Sequence, residues 1–139
     1  MRILSVDYGR KRTGIAVTDP LQIIANGLAT VSTSTLFNFL SDYVAREEVE
    51  KIIIGEPKQP NGEPSENMAR VKAFYDKWTK AMPQVPIEFF DERFTSVLAH
   101  QAMIDGGLKK KARQNKALVD EISATILLQD YLRSKKHKQ

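Results

Sequence analysis

The chain contains no cysteine, which excludes disulfide frameworks, thiol nucleophiles and cysteine-ligated zinc. Its two histidines, His100 and His137, lie far apart in the sequence, so an imidazole-based metal centre is not expected either. No apolar run approaches the ~18 residues that a membrane span requires, and no membrane partner is expected. The N-terminal stretch MRILSVDYGRKRTG meets charge at Asp7 before an apolar signal segment could form, which points to a cytoplasmic protein. What is present is ordinary globular composition: 139 residues, 42% hydrophobic and 27% charged. That suits one domain over residues 1–139, with a basic tail at about 134–139 and enough chain for one sizeable core.

Lysine and arginine number 21 against 17 acidic residues, a net charge of +4. The excess is modest, but its distribution is not. Arg10, Lys11 and Arg12 share one turn, Lys109, Lys110, Lys111, Arg113 and Lys116 fill a second stretch, and Arg133, Lys135, Lys136 and Lys138 close the chain. Twelve of the 21 basic residues therefore sit in three short segments without an acid among them. Clustered cations gain by displacing the counterions of a polyanion, so nucleic acid is the expected partner; a solvated loop and tail are the plainer reading.

Periodicity predicts a strand at 2–7 and a second at 14–19, joined by the glycine-flanked turn YGRKRT, with a third strand at 25–31. A helix is predicted from Thr35 to about Glu48, and the continuous apolar run KIIIGE at 51–56 reads as a strand covered on both faces. The segment 57–65 holds three prolines and a glycine and reads as a loop. A helix from Glu66 to Met82 follows, with Met68, Val71, Phe74, Tyr75 and Trp78 as its buried stripe. A strand is expected at 86–92, then a helix capped by Thr95 or Ser96 and ending at Gly106-Gly107. The basic loop 108–116 leads into a last helix from Lys116 to Arg133. Hairpin strands followed by alternating helices and strands predict an α/β domain with a mixed five-stranded sheet flanked by helices.

Three acidic positions stand out. Asp7 ends the first strand, where aspartate is common as a simple turn residue. Asp91 and Glu92 end the fifth strand on opposite faces, so only one of them can join a cluster. Asp120 shares a helical stripe with Ala117, Ala124, Leu127, Leu128 and Tyr131, a packing face, whereas Glu121 lines up with Thr125 and Gln129 on a polar one. A carboxylate on a packing face is costly unless paired or metal-bound; service to the helix dipole is the competing explanation. Strand ends and the first turns of the last helix can converge in a wound sheet. Oxygen ligands without sulfur or imidazole favour Mg²⁺ or Mn²⁺, and such ions beside basic segments suggest phosphodiester hydrolysis.

The run DYGRKRTGIAVTD (7–19) resembles the first motif of the YqgF/RuvX family of the RNase H-like superfamily. DERFTS (91–96) is similar to that family's second motif and DEISATILLQDYL (120–132) to its C-terminal one, so the resemblance covers nearly the whole chain. It implies an RNase H-like fold and a Mg²⁺-dependent nuclease, with Asp7, Glu92 and Asp120 as catalytic acids and metal ligands. It also implies processing of the small-subunit (pre-16S) rRNA precursor or, alternatively, resolution of Holliday junctions. One departure is Glu56, in Gly55-Glu56-Pro57, where the family usually carries Gly-Leu-Pro; it is either a fourth site acid or a solvated substitution. Arg12 and Thr95 are candidate phosphate contacts, and Lys109, Lys110, Lys111, Arg113 and Lys116 would grip the backbone without sequence readout. The expected partners are structured RNA or DNA junctions, and pre-ribosomal particles, met by a monomer or homodimer. A non-catalytic RNA-binding assembly factor and an ATPase-like domain built on the Asp7–Gly14 turn are the competing classes.

Overall fold

The computed structural model describes residues 1–57, 66–91 and 116–137. The alternating runs predicted at the N-terminus form β1 (Arg2–Tyr8) and β2 (Arg12–Thr18), an antiparallel pair in which Asp7 lies opposite Gly14. Their turn is tight: a methyl group at Gly9 would overlap the carbonyl of Arg12. β3 (Ala25–Ser32) continues the meander beside β2. A 3₁₀ turn at Thr33–Thr35 leads into α1 (Leu36–Arg46), which buries Leu36, Leu40 and Tyr43. β4 (Val49–Glu56) runs parallel to β1, and its Ile52, Ile53 and Ile54 are fully buried, as a strand covered on both faces requires. α2 (Met68–Ala81) and β5 (Ile87–Asp91), parallel to β4, follow, and α3 (Lys116–His137) closes the described chain. The strand order is β3-β2-β1-β4-β5.

The pleat sorts the side chains into two cores. Leu4, Val6, Ile52, Ile54 and Ile87 pack with α1 and α2, whose Leu40, Phe74 and Trp78 join the same cluster. Ile3, Ala16 and Ile53 face the other way and pack with Ala124, Leu128 and Leu132 of α3. Every strand residue thus has an assignable face from its parity with these neighbours.

Several boundaries differ from the sequence expectation. β2 begins at Arg12 and β4 at Val49, because pairing with β3 and β1 extends the ladders beyond the apolar runs. α3 continues to His137, so Arg133 and Lys135 belong to a helix, and Lys135 donates to Gln22 (3.0 Å). On α2 the stripe narrows to Val71, Phe74 and Trp78; Met68 and Tyr75 are only half-buried. The loop expected at 57–65 (beyond Pro57), the helix expected after Thr95 and most of the basic loop 108–116 lie outside the described residues. Among the described residues, no helix is long and apolar enough to cross a membrane.

Candidate active site

β1 carries Asp7 on the face of Ile3 and Ser5, the face that α3 covers. Ser5 Oγ donates to the Ala124 carbonyl at 2.6 Å, which fixes the middle of α3 against the centre of β1. One step towards the helix N-terminus, α3 meets β2 at Gly14, where a methyl group would overlap the carbonyl of Asp120. Gly14 is also the cross-strand partner of Asp7. The backbone contact and the ladder register together bring Asp7 and Asp120 to the same end of the sheet, although 113 positions separate them in the chain. Further along β3, Thr30 Oγ1 donates to the Ala117 carbonyl at 2.6 Å and seats the first turn of the helix.

Arg12 stands on the same face, two residues before Gly14. Its Nε donates to Asp120 Oδ2 at 3.0 Å, with the side chains 39% and 26% exposed. The basic turn that carries Arg12 is itself anchored. Thr33 N donates to the Lys11 carbonyl at 2.9 Å, and Thr33 Oγ1 donates to the Gly9 carbonyl at 2.7 Å. Thr33 Oγ1 also lies 2.9 Å from Thr13 Oγ1. At the neighbouring strand end, Asn67 Nδ2 donates to the Tyr8 carbonyl at 2.8 Å, tying the start of α2 to the end of β1.

At the end of β5 the described acid is Asp91. Asp91 shares the face of Ile87 and Phe89, which pack with the α1–α2 core, and so lies opposite the α3 face. Glu56, its partner in the ladder, shares the face of Ile52 and Ile54 and is likewise opposite Asp7. Glu92, Thr95, Lys109, Lys110, Lys111 and Arg113 lie outside the described residues; Lys116 starts α3. Of the predicted residues, the structure therefore brings together Asp7, Asp120 and Arg12. Glu121, on the polar stripe with Thr125 and Gln129, has its side chain half-buried against β3, where a methyl at Gly27 would meet it. Two features were missed from sequence, the docking role of Gly14 and the Arg12–Asp120 pair. The first left a faint signal, a glycine where the strand pattern calls for a side chain. The second left none, because 108 positions separate the partners.

Oxygen donors fit a hard divalent ion. Asp7 and Asp120 are both half-buried carboxylates on one face at one sheet end, and Arg12 already shows that this place accepts positive charge. Among the described residues, no group of three or more potential ligands is assembled; Glu92, the third acid expected, lies outside them.

A five-stranded mixed sheet with α1–α2 on one face, α3 on the other, and acids from β1 and the last helix at one end defines an RNase H-like α/β protein. The fold is shared with T. thermophilus RuvC in complex with a Holliday junction substrate (TM-score 0.57, 18% identity, 96% of each chain). It is also shared with the Fowlpox virus resolvase in complex with Holliday junction DNA (TM-score 0.59, 14% identity, 97% of this chain and 99% of that one). The sequence profile of the RuvX family, described as Holliday junction resolvase, matches residues 1–134, and the chain belongs to this family. Among its relatives, proteins named "Putative pre-16S rRNA nuclease" from Phocaeicola vulgatus and Bacteroides thetaiotaomicron are 66% and 64% identical over 98% and 97% of this chain, in each case covering 98% of the relative. One of the same name from Flavobacterium johnsoniae is 59% identical over 97% of this chain and 98% of its own length.

Proposed function

We propose that this chain is a Mg²⁺-dependent endonuclease that processes the pre-16S rRNA precursor in the cytoplasm. The observation that carries the reading is the convergence of Asp7 and Asp120 through Gly14. Two acids that the folded chain could have kept apart are held on one face, beside a cationic turn. Membership of the RuvX family and the names of its relatives supply the substrate class.

In this reading Asp7 and Asp120 hold the metal together with Glu92. The face of Asp91 supports that choice, since Asp91 itself lies opposite the face of Asp7. When bound there, a divalent ion would supply activation of water and charge stabilisation at the leaving oxygen of a phosphodiester. The chain's own tasks are positional. Gly14 sets the depth of α3 and so the separation of the two acids, and Thr33 fixes the turn that presents Arg10, Lys11 and Arg12 to a phosphate backbone. Lys109, Lys110, Lys111, Arg113 and Lys116, with Thr95, add sequence-independent backbone contacts.

The test is a cleavage assay in Mg²⁺ and in EDTA, on precursor rRNA and on four-way DNA junctions side by side, with wild type and Asp7→Asn. Wild type should cut the rRNA precursor only with Mg²⁺, and Asp7→Asn should lose at least about 100-fold while melting like wild type. Activity of the variant within about threefold of wild type removes Asp7 from the metal site. Preferential cutting of the junction makes the chain a DNA resolvase instead.

A further inference from the structure

We propose that Arg12 is the resident counter-cation of Asp120, a positioning residue that yields the carboxylate when a divalent ion enters and thereby limits metal affinity. The inference rests on the metal-site reading above. Arg12 and Asp120 are joined by a 3.0 Å ion pair across the β2–α3 contact. Both ends of that contact are rigid: Gly14, two residues on, is pressed against the Asp120 backbone, and the Arg12 turn is tied down by Thr33. The guanidinium therefore occupies the same carboxylate that the ion requires. Without an ion it offsets the negative charge that Asp120 adds to the face of Asp7 and holds the Asp120 carboxylate on the strand side of α3.

Exposure sets the strength of this competition. At 39% and 26% exposed, the pair is open to solvent and salt. Pairs of this kind shift an equilibrium by no more than about fivefold. A buried pair would shut the site against metal; this one only tunes entry. Displacement also leaves Arg12 on the open face of the site, free to meet the phosphate that the metal-bound state must hold. One residue then serves the two states in turn, pairing first with its own carboxylate and then with substrate.

Mn²⁺ titration of the full-length protein by calorimetry, without nucleic acid, tests this directly. Arg12→Gln should bind Mn²⁺ about two- to fivefold more tightly than wild type, with the difference shrinking as salt rises. Lys11→Gln removes the same charge from the adjacent, exposed turn position and controls for the general field; it should change affinity by less than half as much. In the Asp120→Asn background, adding Arg12→Gln should have no more effect than Lys11→Gln, because the partner is gone. Thermal melts of each variant check that the fold persists. Unchanged or weaker Mn²⁺ binding by Arg12→Gln, with wild type binding normally, overturns the role of Arg12 and leaves the metal site standing. Absence of saturable Mn²⁺ binding by wild type overturns both.

Discussion

A methyl group at Gly14 would overlap the carbonyl of Asp120, so Gly14→Ala must push α3 outward or bend β2. The backbone at Gly14 is ordinary strand and would accept alanine, which leaves the overlap as the whole cost. Gly27 provides the contrast: a methyl there meets the Glu121 side chain, which can turn aside, rather than fixed backbone. Gly14→Ala should therefore destabilise the protein by about 1–3 kcal/mol, the usual range for overpacking. Gly27→Ala should cost less than about 1 kcal/mol. Urea unfolding of the two variants measures the difference. Because Asp120 moves with the contact while Asp7 does not, Gly14→Ala should also lose more cleavage than its stability loss explains, and Gly27→Ala should not. Equal behaviour of the two alanines would mean that the Gly14 contact does not set the spacing of the acids.

At the scale of elements, α3 is held at graded points along its length, by Thr30 at Ala117, Ser5 at Ala124 and Lys51 at Tyr131. The last of these is chemically distinct. Lys51 Nζ donates to Tyr131 Oη at 2.9 Å and sits 3.7 Å from Glu88, while Tyr131 packs edge-on against Phe90. The hydrogen bond to Tyr131 raises the Lys51 pKa, and burial raises that of Tyr131. Both folded values lie above the unfolded ones, so both contributions are complete below about pH 10 and fade as pH rises through the folded values. Tyr131→Phe removes the pair and should cost about 1 kcal/mol at neutral pH. It should also flatten the alkaline limb of the stability curve, which denaturant midpoints between about pH 9 and 11 would follow. An unaltered alkaline limb would show that the pair does not tie α3 to β4. The elements themselves were largely legible in the sequence, since β1, β4 and α2 follow from period and punctuation alone. What joins them was not. The Ile52–Ile54 run announces a strand covered on both faces, but nothing local states that it lies beside Val6. Asp7 and Asp120 were legible as strand-end and packing-face acids, whereas their convergence depends on a ladder register and one missing side chain at Gly14. The half-burial of Glu121 was not legible for a related reason. Its helical stripe is polar, but β3 extends far enough beneath α3 to cover it.

The molecule as a whole divides its load unevenly. Among the described residues, two helices cover the Leu4–Val6 face of the sheet, and α3 covers the face that carries Asp7. A helix is about 10 Å wide and strands are about 4.8 Å apart, so one helix spans only two or three strands. Among the described residues, packing and site geometry on that face therefore depend on the same element, while on the other they are separate. Leu128 on α3 and Leu40 on α1 are both fully buried, one in each core. Truncation to alanine should cost about 2–5 kcal/mol at either position. The effects on cleavage should nevertheless diverge. Leu128→Ala loosens the helix that carries Asp120, and a misplacement of about 1 Å at a reacting centre can cost ~100-fold. Leu40→Ala opens its cavity on the far side of the sheet from the acids. At a temperature where circular dichroism shows both variants folded, Leu128→Ala should retain less than about a tenth of wild-type cleavage and Leu40→Ala at least a third. Mn²⁺ affinity should fall in the first and hold in the second, which separates a displaced acid from a merely weakened fold. Equal losses in the two variants would place the site's integrity in the sheet alone and leave α3 as cover.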